Sequence, residues 1–241
     1  MDKYEYWFLD VAVYMHIGVC WIVPDIRGNL AVNRAPLDLS LPEMAKALDN
    51  LFQRGDIFAY SNGIRPEMRD IPFTPNFDEI LEALEVGSRS IIGSHGEGYE
   101  NLFSYGLTKQ GGEKWERYSN PTWENLLENS ASQIDGYPNW EVTLICLSKD
   151  ILEEYLEIQT YFSLGFTWIH SGEIKWDIVS PWKYSYWRTF PQAYRVRYLG
   201  IEPDREPYWY ITPSEYTEEE RKADAWLKGL NNWYTNYFNE N

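Results

Sequence analysis

Residues 40–60 read SLPEMAKALDNLFQRGDIFAY, and within these positions lie a helix start, an amphipathic helix, its stop and the strand that follows. Ser40 with Glu43 three residues on is a capping box, and Pro42 falls in the first turn, where a missing N–H costs nothing. Leu41, Met44, Ala45, Leu48, Leu51 and Phe52 recur at helical spacing and predict one buried stripe. Gly55 supplies the C-terminal stop. Ile57 to Tyr60 then reads as a short strand closed by Ser61-Asn62-Gly63.

Working outward, the same alternation of helix and strand continues on both sides. Upstream, Asp2 and Glu5 open a helix whose apolar face carries Tyr4, Trp7, Phe8, Val11, Ala12 and Met15, with Gly18 ending it and a strand expected over 19–23. Downstream, Asn76 caps a helix bearing Phe77, Ile80, Leu81 and Leu84, strands are expected over 88–92 and 99–105, and Thr108 caps a further helix through Trp115 and Tyr118. The small, polar residues 128–133 read as a linker. Beyond them come a strand at 140–147 and a helix capped by Ser148. A hairpin follows over 166–178, with strands at 194–199 and 208–211 and a last helix capped by Thr217. The expected fold class is α+β, in two parts: residues 1–130, and a smaller α+β part at 131–241 with an antiparallel sheet and a C-terminal helix.

Two passages of the first part resemble the winged-helix family. Leu41 to Tyr60 is similar to its helix-to-wing passage, and Ser104-Tyr105-Gly106-Leu107-Thr108-Lys109-Gln110-Gly111 is similar to the turn from its last wing strand into a helix. The resemblance implies a winged-helix-like N-terminal half. It departs from the family in having one helix alone at 41–54 and a second, at 77–86, between the two landmarks, either as an insertion or as the recognition helix. That second helix offers four acids and no base, so protein contact is expected over DNA contact.

Thirty-seven acidic side chains against 21 basic ones give a net charge of −16, and Trp, Tyr and Phe make up 17% of the chain. So many aromatics argue against a disordered acidic tail. The charge disfavours nucleic acid and anionic membrane as partners and favours a basic protein. With no apolar run long enough to span a bilayer, and with a start, Met1-Asp2-Lys3-Tyr4-Glu5, that lacks the basic region and small-residue cleavage site of a signal peptide, a cytoplasmic protein without membrane attachment is expected. Cys20 and Cys146 stand apart in apolar stretches and read as buried, reduced thiols.

One segment breaks the charge pattern. From Ile178 to Ile201 there is no acid, yet Lys183, Arg188, Arg195 and Arg197 are present among Trp182, Tyr184, Tyr186, Trp187, Phe190, Tyr194 and Tyr198. On a strand over 194–199, Arg195 and Arg197 share one face, a spacing able to clamp a carboxylate or phosphate while Trp182 and Trp187 stack a ring. The competing reading is that these arginines pair with the protein's own acids and the aromatics form core.

Catalytic patterns are sparse. The loop Gly93-Ser94-His95-Gly96-Glu97-Gly98 lacks the Lys and Ser/Thr of a phosphate-binding loop, leaving His95 as a loop candidate, and His16, His95 and His170 have no metal spacing. No catalytic residue, metal or cofactor is expected. The sequence points to a non-enzymatic interaction or regulatory protein, immunity- or antitoxin-like at the furthest reach of charge alone. The alternative is an anion- or carbohydrate-binding protein or hydrolase using residues 182–198.

Overall fold

The computed structural model describes residues 1–25, 28, 30, 32, 37–61, 71–89, 103–134, 139–159, 167–168, 173–201 and 216–235. The fold is α+β, and the chain divides into two compact units, one formed by Met1–Asn120 with Ser185–Arg188, the other by Pro121–Tyr184 with Thr189–Thr235. Among the described residues no helix is long and apolar enough to cross a membrane.

In the first unit, α1 (Lys3–Val11) begins where the Asp2 carboxylate accepts the N–H groups of Tyr4 and Glu5. It stops a turn earlier than its apolar spacing predicts. The carbonyls of Ala12 and Val13, which a longer helix would use internally, accept instead from the Tyr186 hydroxyl at 2.5 Å and the Trp187 indole at 2.9 Å. Met15 is consequently exposed. The strand expected after it is displaced: β1 is Ile17–Gly18, and Val19–Trp21 form one turn of 3-10 helix.

Helix α2 (Leu41–Gln53) buries Met44, Ala45, Leu48, Leu51 and Phe52, and the Ser40 N–H donates to the Glu43 carboxylate at 2.8 Å. Gly55 takes a positive φ of 71° and the chain enters β2 (Ile57–Ser61). Helix α3 (Phe77–Arg89) is started by reciprocal bonds between Asn76 and Glu79 and runs through Ser88, where a strand was expected. Its Gly87 lies against the 3-10 turn so closely that a Cβ there would stand 2.7 Å from the Cys20 backbone. Strand β3 (Phe103–Leu107) leads through the cap Thr108 into α4 (Lys109–Ser119). The three strands form an antiparallel sheet in the order β1-β3-β2, and Trp7, Phe8, Leu9, Leu48, Leu51, Tyr105 and Trp115 are buried.

In the second unit the residues read as a linker are a strand, β4 (Leu127–Gln133), paired along its length with β5 (Asn139–Cys146). Its polarity has a plain cause. Leu127 and Ala131 turn toward the core, while Glu128, Ser130 and Ser132 lie on the face opposite α5. Helix α5 (Lys149–Ile158), capped by the Ser148 hydroxyl, packs Leu152, Tyr155 and Leu156 against Val142, Leu144 and Cys146 of β5.

Strands β6 (Thr167–Trp168) and β7 (Lys175–Val179) were expected as a hairpin. In the described residues both pair with β10 (Ala193–Ile201), β6 at Gly200–Ile201 and β7 at Ala193–Arg197. The sheet order is β4-β5-β10, with β6 and β7 along the other edge of β10. A separate ribbon joins β8 (Trp182–Lys183) to β9 (Thr189–Phe190). Helix α6 (Glu218–Asn231) begins with a capping box between Thr217 and Glu220 and buries Ala223 beside Ile158 and Tyr216. The strand read at 208–211 lies outside the described residues.

Candidate functional site

Arg195 and Arg197 share the face of the second unit's sheet opposite α5, as their spacing predicts, because alternate residues of β10 turn the same way. The core-facing set, Val196 and Tyr198, packs with α5. Directly across from Arg195 on β7 stands Asp177. Arg195 closes on it with both prongs of its guanidinium, Nε and Nη2 each 2.7 Å from a carboxylate oxygen, and Arg197 adds an Nη2 bond at 3.0 Å. The Arg195 hydrogen bond holds the Asp177 carboxyl below its ordinary range, with the charges of both arginines adding to it, and Asp177 in turn raises Arg195. The clamp that the sequence suggests for an outside anion therefore holds a carboxylate of the protein. Asp177 sits one residue before the acid-free segment begins.

Trp182 is buried on β8, stacked on Phe190 at 5.3 Å with Tyr184 at 5.5 Å, and Trp123 packs edge-on against Tyr184 and Phe190. Its indole N–H donates to Glu128 at 2.9 Å. The ring is thus buried in core rather than offered to a sugar ring. Lys183, next to it, is exposed.

Trp187 and Arg188 belong to the first unit. The Trp187 ring lies edge-on to Trp115 and directly on the backbone of α4, where a Cβ on Gly112 would stand 2.0 Å from its Cε3. Arg188 pairs with Glu116 at 3.0 Å. Tyr186 receives the Leu107 N–H at 2.6 Å while donating to Ala12, and burial pushes its hydroxyl far above the ordinary tyrosine range. The seven aromatics and four cations of 178–201 are therefore divided between two units. His95 and His170 lie outside the described residues.

Two buried acids of the first unit have structural partners. Asp10 accepts from the Trp115 indole at 3.0 Å and from the Tyr6 hydroxyl at 3.4 Å. Asp56 accepts from Arg54 and Lys114 at 2.9 Å each and from Gln110 at 3.1 Å. Burial pushes the Asp56 carboxyl up, but these bonds outweigh it and hold the group below its ordinary value.

His16 is enclosed by aromatic rings, with Tyr186 at 4.0 Å, Tyr60 at 4.5 Å and Phe58 at 5.7 Å. Its Nε2 is buried without a hydrogen-bond partner among the described residues, and burial lowers its pKa. Cys20 and Cys146 are both free, and burial raises both thiols away from the reactive thiolate form. Among the described residues no three His, Cys, Asp or Glu side chains come together as a metal set.

The residues that sequence reading missed are those brought to Arg197 by strand register. Thr143 of β5 and Lys175 of β7 stand directly opposite it, and Ser130 of β4 stands opposite Thr143. The alternation of small polar residues at 130 and 132 was the available signal, and it read equally well as a linker. No known protein family matches the chain, and neither a curated protein nor a solved structure is similar to it.

Proposed function

We propose that this protein is a non-enzymatic interaction protein whose acidic surface engages a basic protein partner. The observation that carries the reading is the unequal use of charge. Several described arginines pair with the protein's own acids: Arg54 with Glu5 and Asp56, Arg188 with Glu116, and Arg195 and Arg197 with Asp177, while Arg117 and Arg221 have no ion pair among the described residues. Many acids remain outward. Helix α3 of the first unit exposes Asp78, Glu79 and Glu82, and α5 of the second exposes Asp150, Glu153, Glu154 and Glu157. Such a surface speeds encounter with a basic partner and repels polyanions.

For the first unit we read a winged-helix-like arrangement with α3 inserted between the two longer strands. The sheet order β1-β3-β2 and the direct passage from α2 into β2 support it. The exposed acids of α3 are the reverse of a DNA-reading helix, which favours protein contact on this scaffold.

The test is capture from the native lysate at low salt by the full chain and by a triple variant, Asp78→Lys, Glu79→Lys and Glu82→Lys. A basic protein retained by the parent, released by added salt and lost from the variant supports the reading. Nothing retained, or equal retention by the variant, overturns the role of α3.

A further inference from the structure

The sheet face of the second unit opposite α5 carries more than the Arg195–Asp177–Arg197 cluster. Register sets Ser130 opposite Thr143, Thr143 opposite Arg197, and Arg197 opposite Lys175. Opposed residues share a face, so four donor side chains form one row across four strands, with neighbours about 4.8 Å apart. Ser130 and Lys175 are exposed, and Thr143 and Arg197 are half-buried. Helix α5 covers the opposite face.

The donors of this row are largely uncommitted. Among the described residues Lys175 has no ion pair, and the Ser130 and Thr143 hydroxyls have no hydrogen bond. Arg197 spends a single Nη2 bond, on Asp177. Asp177 accepts two bonds from Arg195 and one from Arg197, and the Arg197 Nε is buried without a hydrogen-bond partner among the described residues. We propose that the row Ser130–Thr143–Arg197–Lys175 binds a small phosphate-type oxyanion.

The chemistry fits a tetrahedral group. Its oxygens accept from a planar guanidinium, from an ammonium on one side and from a hydroxyl on the other, and charge-assisted bonds of this kind are the strong ones. Carboxylates limit what else binds. Glu141 is exposed one row away, opposite Leu199, and Glu128 on the same face accepts from Trp182. With a net charge of −16 behind them, the long-range field repels an extended polyanion, so the occupant is a single phosphoryl group rather than a nucleic-acid strand. The row is independent of the acidic helices invoked for partner binding, and either reading stands without the other.

The experiment titrates the full chain with inorganic phosphate and with phenyl phosphate, followed by calorimetry and backbone amide shifts. The expected result is saturable shifts centred on residues 130, 143, 175 and 197. Lys175→Gln and Arg197→Gln should each weaken affinity by about tenfold or more. Lys175 is exposed, so its substitution leaves folding intact and keeps the test decisive if Arg197→Gln unfolds. Shifts scattered over the surface or unchanged affinity in Lys175→Gln would overturn the proposal. A single-stranded oligonucleotide binding this face more tightly than phosphate would do so too.

Discussion

His16 shows how one side chain can carry a pH dependence for the whole first unit. Its ring is packed among Tyr186, Tyr60 and Phe58, and its Nε2 meets no acceptor among the described residues, so the neutral imidazole is the form that fits. Burial lowers its pKa below the ordinary 6.5. In the unfolded chain the ring takes up its proton near 6.5, whereas the folded state resists until lower pH. Its contribution is therefore complete above 6.5 and is lost as pH falls toward the folded value. Urea midpoints measured at about pH 7.5 and about pH 5.5 should fall more for the parent than for His16→Gln, and equal falls would exclude His16 as the source. Gly111 is a second residue with a sharp expectation. A Cβ there would stand 1.9 Å from the Asp56 carbonyl oxygen, which is backbone and has little freedom to give way. Gly111→Ala should cost about 2–3 kcal/mol in denaturant unfolding, near the upper range for overpacking.

Among the elements, the helix starts are the most local devices in the chain, and they were the most legible. At α6 the Thr217 hydroxyl accepts the Glu220 N–H at 3.1 Å while the Glu220 carboxylate takes the Thr217 N–H at 2.8 Å. Thr217→Ala should cost about 1 kcal/mol and raise amide exchange in the first turn of α6 above that in its last turn. Each of these starts depends on residues three apart, a distance that sequence displays directly. The helices from Ser40, Asn76, Thr108, Ser148 and Thr217 were read correctly for that reason. Strand pairing joins residues far apart in the chain, and there the reading failed. Strand β4 looked like a linker because half of it faces away from any core, and β6 and β7 looked like a hairpin because only β10, many residues later, reveals their common partner. The candidate site suffered in the same way. The facing of Arg195 and Arg197 was readable from alternation, while Asp177, Lys175 and Thr143 came to them through register alone.

At the scale of the molecule, the acidity has a definite distribution. Arg54, Arg188 and Arg195 pair with acids of the protein itself, and the exposed acids of α3 and α5 contribute to the external field. The aromatic excess is largely structural: Trp7, Trp115, Trp123, Trp182 and Trp233 are all buried. A division of labour follows, in which charge faces outward and rings hold each unit together. The composition of the first unit also makes a prediction about fragments. A piece ending at Asn120 lacks Tyr186 and Trp187, leaving the Ala12 and Val13 carbonyls and the Gly112 backbone uncovered. That fragment should unfold at lower urea than the same unit within the full chain, and a peptide spanning 184–189 added in trans should raise its midpoint. No effect of the peptide would show that the Ser185–Arg188 segment is dispensable to the unit.

The place of Ser185–Arg188 in the chain also constrains how the protein is made. Growing from its N-terminus, the polypeptide has α1–α4 and β1–β3 in hand long before residue 188 leaves the ribosome. Until then the groove on α4 that receives Trp187 stays open, and α1 has no hydroxyl or indole to take its last carbonyls. The first unit is thus begun before the second and finished after much of it, because the Trp187 cover of the Gly112 backbone arrives only with Ser185–Arg188.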